Sequence, residues 1–274
     1  MRLIIILLTI GQAWSLAYGQ SCRVLTWNIQ DLGRSKDAAE IAAMVAVMRN
    51  YDLVLIQEVV AKDPAGAQRV ARLADELDRT GSNWDYRVSD PTDSPSPYIR
   101  ERYAMLWKAA RLRLAEPPRL DAALANVCDR EPYLAAFRMK GHPQPFFVIT
   151  FHARRFDEHP EEEIQHFDDY PTRLETNCLL IAGDFNLDEA HPVWDKLKRK
   201  GFRPAVQQTP TTLKRACRDG TYFNHPIDNI FYPTQCFQVR GAGRVDFVGS
   251  CERLDTARGV SDHLPVWIEI AWPE

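Results

Sequence analysis

Polar groups of the kinds that hold cations and move protons stand at the ends of six apolar stretches of this chain: Asn28, Glu58, His152, Asp184 with Asn186, Asp228, and Asp262 with His263. The run Leu179-Leu180-Ile181-Ala182 breaks at Gly183 into Asp184-Phe185-Asn186. Side chains two apart on an extended backbone point the same way, so acid and amide can reach one small hard ligand. Alone, that tetrapeptide reads equally well as a turn with Asp and Asn as local caps. Core packing, however, does not require such groups at six strand ends at once. Carboxylates and amides suit Mg²⁺, Mn²⁺ or Ca²⁺, whereas the chain has no C-x-x-C and no H-E-x-x-H helix of the kind that holds zinc. A histidine beside a carboxylate supplies a general base or an oriented cation. Together these groups fit attack of water on phosphorus, where charge on the phosphoryl oxygens must be stabilised, and the expected reaction is phosphate ester hydrolysis.

The elements that must position them alternate in type. Arg23 to Ile29 reads as a strand, Ala38 to Arg49 as a helix with apolar residues at helical spacing, and Tyr51 to Glu58 as a buried strand, giving β-α-β. Ala65 to Arg79 is an amphipathic helix whose stripe of Val70, Leu73, Ala74 and Leu77 is core. Trp84 to Val88 is a short strand and Ser89 to Pro97 a loop. Arg102 to Lys108 and Leu112 to Ala115 form a strand pair, with Pro117 to Ala125 irregular after it. Leu134 to Met139 and Phe146 to Phe151 are strands joined by a Gly-His-Pro turn. Arg154 to Arg173 is rich in acids, read as a solvated face around a helix from Pro160 to Phe167. A helix over Pro192 to Lys200 ends at Gly201, and Ile227 to Tyr232, Val245 to Val248 and Val266 to Ala271 are the last strands. Neither a repeat nor a linker divides the chain.

The sequence has 274 residues, 45% of them hydrophobic, enough for a sizeable core. Met1-Arg2, an apolar run from Leu3 to Ile10 and the small residues Ala17 and Gly19 predict a secretory leader over residues 1–19. That run falls short of the about 20 residues of a membrane anchor, so no stable membrane association is expected. Six cysteines follow the leader, an even number that favours disulfides in an exported chain, with the pairing open. The formal net charge of −3 argues against a passive, strongly basic nucleic-acid binder but is compatible with an enzyme that brings divalent cations to a phosphodiester.

The ordered set Thr26-Trp27-Asn28-Ile29, Leu55-Ile56-Gln57-Glu58-Val59, Arg100-Glu101-Arg102-Tyr103, Arg130-Glu131-Pro132, Phe151-His152, Gly183-Asp184-Phe185-Asn186, Ile227-Asp228-Asn229-Ile230 and Ser261-Asp262-His263-Leu264-Pro265-Val266 resembles the endonuclease/exonuclease/phosphatase superfamily, and within it the deoxyribonuclease I branch. The resemblance implies an α/β fold, a four-layer sandwich of two packed mixed sheets with helices outside, and one catalytic domain over 20–274. It implies that Glu58 and Asn28 are metal-site residues, with Asp184, Asn186 and Asp262 completing a polar cradle around metal and scissile phosphate. It further implies that His263, paired with Asp228, activates water, that His152, paired with Glu101, is the second catalytic histidine, and that Arg130 contacts phosphate. The branch carries an arginine two residues after the Glu58 position that reaches the DNA minor groove; Val60 stands there instead. Of a spaced cysteine pair beside the Arg130 motif, Cys128 alone is present. Arg154-Arg155 could contact phosphate or form a solvated basic pair.

The expected protein is therefore a secreted or periplasmic, monomeric phosphodiesterase that uses Mg²⁺ (Mn²⁺ or Ca²⁺ as alternatives) and acts on DNA as an endonuclease. The alternatives are a phosphatase or phosphodiesterase on lipid or nucleotide phosphates, and a protein like the active subunit of a cytolethal distending toxin, acting through delivery partners.

Overall fold

A computed structural model describes residues 21–273; the leader expected over residues 1–19 lies outside them. The strands in chain order are β1 (Ser21–Leu32), β2 (Leu53–Val60), β3 (Trp84–Val88), β4 (Glu101–Lys108), β5 (Leu112–Leu120), β6 (Tyr133–Met139), β7 (Pro145–His152), β8 (Leu179–Asp184), β9 (Phe202–Pro204), β10 (Leu213–Arg218), β11 (Thr221–Phe223), β12 (Asp228–Pro233), β13 (Gln238–Arg244) and β14 (Val266–Ala271). The helices are α1 (Ala38–Met48), α2 (Ala65–Asp78), α3 (Glu161–Ile164), α4 (Tyr170–Arg173), α5 (Asp195–Arg199) and α6 (Leu254–Val260). Two six-stranded sheets form, ordered β13-β14-β1-β2-β4-β3 and β5-β6-β7-β8-β12-β9, with β10 and β11 as a separate hairpin. Each is mixed: β1 with β2 and β7 with β8 are parallel, and the other pairs antiparallel.

The apolar runs of the central strands are continuous because both faces are covered. Along β2, Leu53 and Leu55 join the core between the sheets, which also holds Val24, Met105, Val148, Leu180 and Ile268. Val54 and Ile56 face outward against Ile41 and Met44 of α1 and Val70, Leu73 and Leu77 of α2. On the other sheet, Leu179 and Ile181 pack outward under Ile164, Phe167, Tyr170 and Trp194. The result is the four-layer sandwich expected. Asp37 starts α1 by a capping box with Glu40. Two disulfides, Cys178–Cys236 and Cys217–Cys251, are present, and Cys22 and Cys128 are free and buried. Among the described residues no helix is long and apolar enough to cross a membrane.

Several local readings are corrected. The strand expected over Val245 to Val248 lies upstream, as β13, with Gly241 and Gly243 under the Trp267 indole. Those glycines hide the strand from an apolar pattern, while Val245 and Phe247 pack on the helix side, Phe247 5.2 Å from the Trp27 ring. The segment from Pro117 is not irregular at first: β5 continues to Leu120, tolerating Pro117 and Pro118 as a bulged edge strand. The helix from Pro160 shrinks to α3 followed by a 3₁₀ turn at Phe167–Asp169. Its acids are not all solvated: Glu163 is fully buried, accepting from the backbone N–H groups of Asp129 and Arg154.

Candidate active site

Strand register assembles the site. His152 on β7 stands beside Asp184 on β8, and Asp184 stands opposite Asp228 on β12, three strand ends in one row. From the facing sheet, Asn28 of β1 lies beside Gln57 of β2, just before Glu58, and antiparallel β4 brings Glu101 opposite Val60. Behind this edge Gln57 donates to Thr26 Oγ1 (3.0 Å) and Thr150 Oγ1 (2.6 Å), tying the two sheets together. The row of β7 and β8 requires glycine at 183. Its φ is +143°, and a Cβ there would sit 1.9 Å from the Phe151 carbonyl oxygen.

Two imidazoles converge on one carboxylate. His152 Nδ1 is 2.9 Å from Glu101 Oε2, and His263 Nδ1 is 2.9 Å from Asp228 Oδ2. Their Nε2 atoms lie 3.6 Å and 3.7 Å from Asp184 Oδ2. Each ring is thus oriented by its own acid and presents its other nitrogen to a shared point, the arrangement that proton transfer to and from one bound substrate needs. Asp228 is held in turn by Thr211, whose hydroxyl donates to Oδ2 at 2.7 Å and accepts from the Asp228 N–H. The Ser261-Asp262-His263 turn is pinned to β1: Ser261 Oγ donates to the Asn28 carbonyl, and the Trp27 indole N–H to the His263 carbonyl.

The oxygens suited to a cation lie on the same edge. Asn28 Nδ2 donates to Glu58 Oε1 (2.9 Å) and Asp184 Oδ2 (3.0 Å), which fixes the amide and leaves its buried Oδ1 with no hydrogen-bond partner among the described residues. A buried unsatisfied acceptor beside a carboxylate is what a small hard cation would complete. Glu58 Oε2 also accepts from the Asp31 N–H. Asp31, Glu58 and Asn186, all lining the cleft, take left-handed φ values of 51°, 60° and 51°. Non-glycine residues adopt this region uncommonly, Asn and Asp more readily than Glu. Asp262 is not brought into this group: its carboxylate lies 3.8 Å from Arg258, and it does not line the cleft. Asp184, Asp228 and His263 also lie within metal-chelating distance of one another. His263 Nδ1 is engaged by Asp228, while its Nε2 is turned toward Asp184.

The cleft above these groups has a volume of about 450 Å³ and includes Arg100, Arg130 and Arg155 among its walls. Arg130 is buried, donating to the carbonyls of His152 (3.1 Å) and Ala153 (2.6 Å) and lying 3.6 Å from Glu101. It braces the His152 strand end while facing the cleft. Asn186 donates to the same Ala153 carbonyl, and its own N–H binds Asp184 Oδ1. Arg154 is withdrawn from any phosphate role: its guanidinium donates to the Val127 carbonyl and pairs with Glu163 and Asp129.

Electrostatics gives the two imidazoles opposite states. Burial, then the Arg130 cation, lowers His152 to about 4, so its ring is neutral near pH 7. Burial also disfavours charge on His263, but Asp228 and then Asp184 outweigh it and raise its pKa well above 6.5. Burial raises Asp184, against the pull of His263. Glu101 is raised to about 7 by burial, with Arg130 opposing. One proton acceptor and one donor facing a common point is the division that acid–base catalysis uses. In this charge pattern the neutral imidazole is His152, whereas the residue expected to take a proton from water is His263.

Gln57, Thr211 and the split between Arg154 and Arg155 went unread in the sequence; a lone polar residue in a strand or a Thr-rich turn gives no signal of its partner.

With this geometry in place the class follows: the chain belongs to the Endonuclease/Exonuclease/phosphatase family, whose sequence profile matches residues 25–263, and it is a hydrolase of that superfamily. Within the family it falls in the deoxyribonuclease I-like branch. It is 31% identical over 266 residues to the Deoxyribonuclease of Thioalkalivibrio sp. (strain K90mix), covering 90% of this chain and 70% of that one. It is 27% identical over 281 residues to Deoxyribonuclease-1 of Bos taurus, covering 96% and 97%. In fold it is similar to the crystal structure of an endonuclease/exonuclease/phosphatase family protein from Bacteroides thetaiotaomicron, with a TM-score of 0.65 at 14% identity over 93% of this chain and 99% of that one.

Proposed function

We propose that this chain is an exported, divalent-metal-dependent DNA endonuclease that hydrolyses phosphodiesters with activated water. The observation that carries the reading is the convergence of His152 and His263, each held by its own carboxylate, on Asp184 Oδ2. Glu58 and the free Oδ1 of Asn28 would hold a Mg²⁺ ion, which when bound neutralises charge on the phosphoryl oxygens. Neutral His152 accepts the proton of the attacking water, with Glu101 keeping its Nδ1 engaged. His263, charged through Asp228, faces the phosphate from the other side and donates a proton to the departing oxygen. Asp184 and Asn186 orient the water and the phosphate. Two disulfides support folding in an oxidising compartment, secreted or periplasmic.

Val60, in place of the groove-reaching arginine of the branch, favours keeping a second reading, a phosphatase or phosphodiesterase acting on lipid or nucleotide phosphates. Plasmid relaxation by the oxidised mature protein separates the two. Nicking with Mg²⁺ that stops in EDTA supports the endonuclease. Intact plasmid with phosphate release from a lipid or nucleotide panel supports the second.

A further inference from the structure

The two disulfides stand in different surroundings. Cys178 and Cys236 lie in the core between the sheets, 4% and 6% exposed. Cys217 and Cys251 are half-buried at the margin of a small apolar cluster that includes Leu213, Leu254 and Leu264. Thiol–disulfide exchange requires that the attacking thiolate reach a sulfur, so a small dithiol opens the second bond first. The free thiols add no competing route: Cys22 and Cys128 are buried, and burial pushes both thiols up, away from the reactive thiolate.

Each cysteine of that half-buried bond belongs to an element that meets the His263–Asp228 dyad. Cys217 lies on β10, whose hairpin with β11 stands apart from both six-stranded sheets. A two-stranded hairpin is marginal in water by itself. The chain entering β10 nevertheless frames the dyad. The Thr211 hydroxyl holds Asp228 and the Thr211 carbonyl accepts from the Leu264 N–H (2.6 Å), while Thr212 forms an antiparallel bridge with His263 and the Leu213 N–H donates to the Asp262 carbonyl (2.8 Å). Cys251 opens the 3₁₀ turn that leads into α6, and α6 runs into Ser261-Asp262-His263. Arg258 of α6 donates to the Leu213 carbonyl (3.0 Å), a second tie between the same two elements. The disulfide therefore closes one end of a clamp whose other end holds His263 and Asp228.

We propose that the Cys217–Cys251 cross-link positions the His263–Asp228 dyad, so that its cleavage by a dithiol lowers catalysis while the chain stays folded. This rests on the endonuclease reading above. One thiolate of the dithiol attacks a sulfur of the bond and forms a mixed disulfide, and the second displaces it; the protein gains two thiols and the dithiol is oxidised to its cyclic disulfide. The test measures plasmid nicking with Mg²⁺ by the oxidised wild type, by wild type treated with graded dithiothreitol, and by Cys217→Ser/Cys251→Ser, at a temperature where circular dichroism shows each folded. The double variant is expected to lose roughly 10–100-fold in kcat with KM within about twofold of wild type. Its amide hydrogen exchange is expected to quicken at Leu213 and Leu264 and to stay unchanged along β1, β2, β7 and β8. Dithiothreitol that exposes only Cys217 and Cys251 to alkylation is expected to bring wild type to the rate of the variant, to leave the variant unaffected, and to be reversed by reoxidation. A merely stabilising bond would quicken exchange throughout both sheets and leave kcat of the folded variant unchanged. Either of those results, or wild-type nicking that survives selective reduction, overturns the proposal and leaves the endonuclease; no cleavage of any DNA by the oxidised wild type removes both.

Discussion

His263 Nδ1 lies 2.9 Å from Asp228 Oδ2, and the same carboxylate oxygen accepts the Thr211 hydroxyl, so the imidazole is oriented by an acid that is itself held fixed. Asp228→Asn preserves shape but removes the charge that stabilises imidazolium and lets an amide N–H face Nδ1. Phosphodiester cleavage should fall roughly 10²–10⁴-fold at a temperature where the variant is folded. Steady-state kinetics within about twofold of wild type would remove the dyad from the mechanism.

Glu58 and Asn28 are proposed as the cation's ligands because Asn28 Oδ1 is buried without a partner among the described residues and Glu58 stands beside it. An amide oxygen is a poorer ligand for Mg²⁺ than a carboxylate. Glu58→Gln should therefore shift the Mg²⁺ dependence of activity, and the calorimetric binding isotherm of the metal alone, to concentrations about tenfold higher or more. Unshifted titrations would take Glu58 out of the metal shell.

The histidines should leave opposite marks on stability against pH. His152 has a folded pKa of about 4, below its ordinary 6.5, so between those values the unfolded chain takes up a proton that the folded chain does not. Its contribution makes stability fall as pH drops through that window. His263 is raised, so its contribution is complete below about 6.5 and is lost as pH climbs through the folded value. Thermal unfolding of His152→Gln should show a shallower loss on the acid side, and His263→Gln a shallower loss on the alkaline side. Parallel curves for all three proteins would contradict the assigned charge states.

Gly183 is the one position in the site where a methyl group has no room. With φ at +143° and the Phe151 carbonyl 1.9 Å from an added Cβ, Gly183→Ala must part β7 from β8 or rotate the backbone. A loss of about 3 kcal/mol or more in denaturant unfolding is expected, together with loss of activity through His152 and Asp184. A variant as stable as wild type would mean that the strands meet differently.

Much of this is legible in the sequence, for a physical reason. A strand covered on both faces is apolar to its last residue, so Asn28, Glu58, His152 and Asp184 stood out as polar groups where none was needed for packing. What stayed hidden depends on partners far away in sequence. Thr211 matters only because β12 brings Asp228 to it, and β13 is a strand only because Trp267 covers its glycines. Asp262 beside Arg258, and Arg154 beside Glu163, show the same limit: neighbours in a motif need not point into the same cleft.

The central claim is that two imidazoles flank the scissile phosphate with opposite proton-transfer roles, and single substitutions test it most directly. Plasmid nicking with Mg²⁺ should drop roughly 10²–10⁴-fold in His152→Ala and, separately, in His263→Ala, each assayed at a temperature where circular dichroism shows the variant folded. Nicking by folded His263→Ala at the wild-type rate would contradict the account.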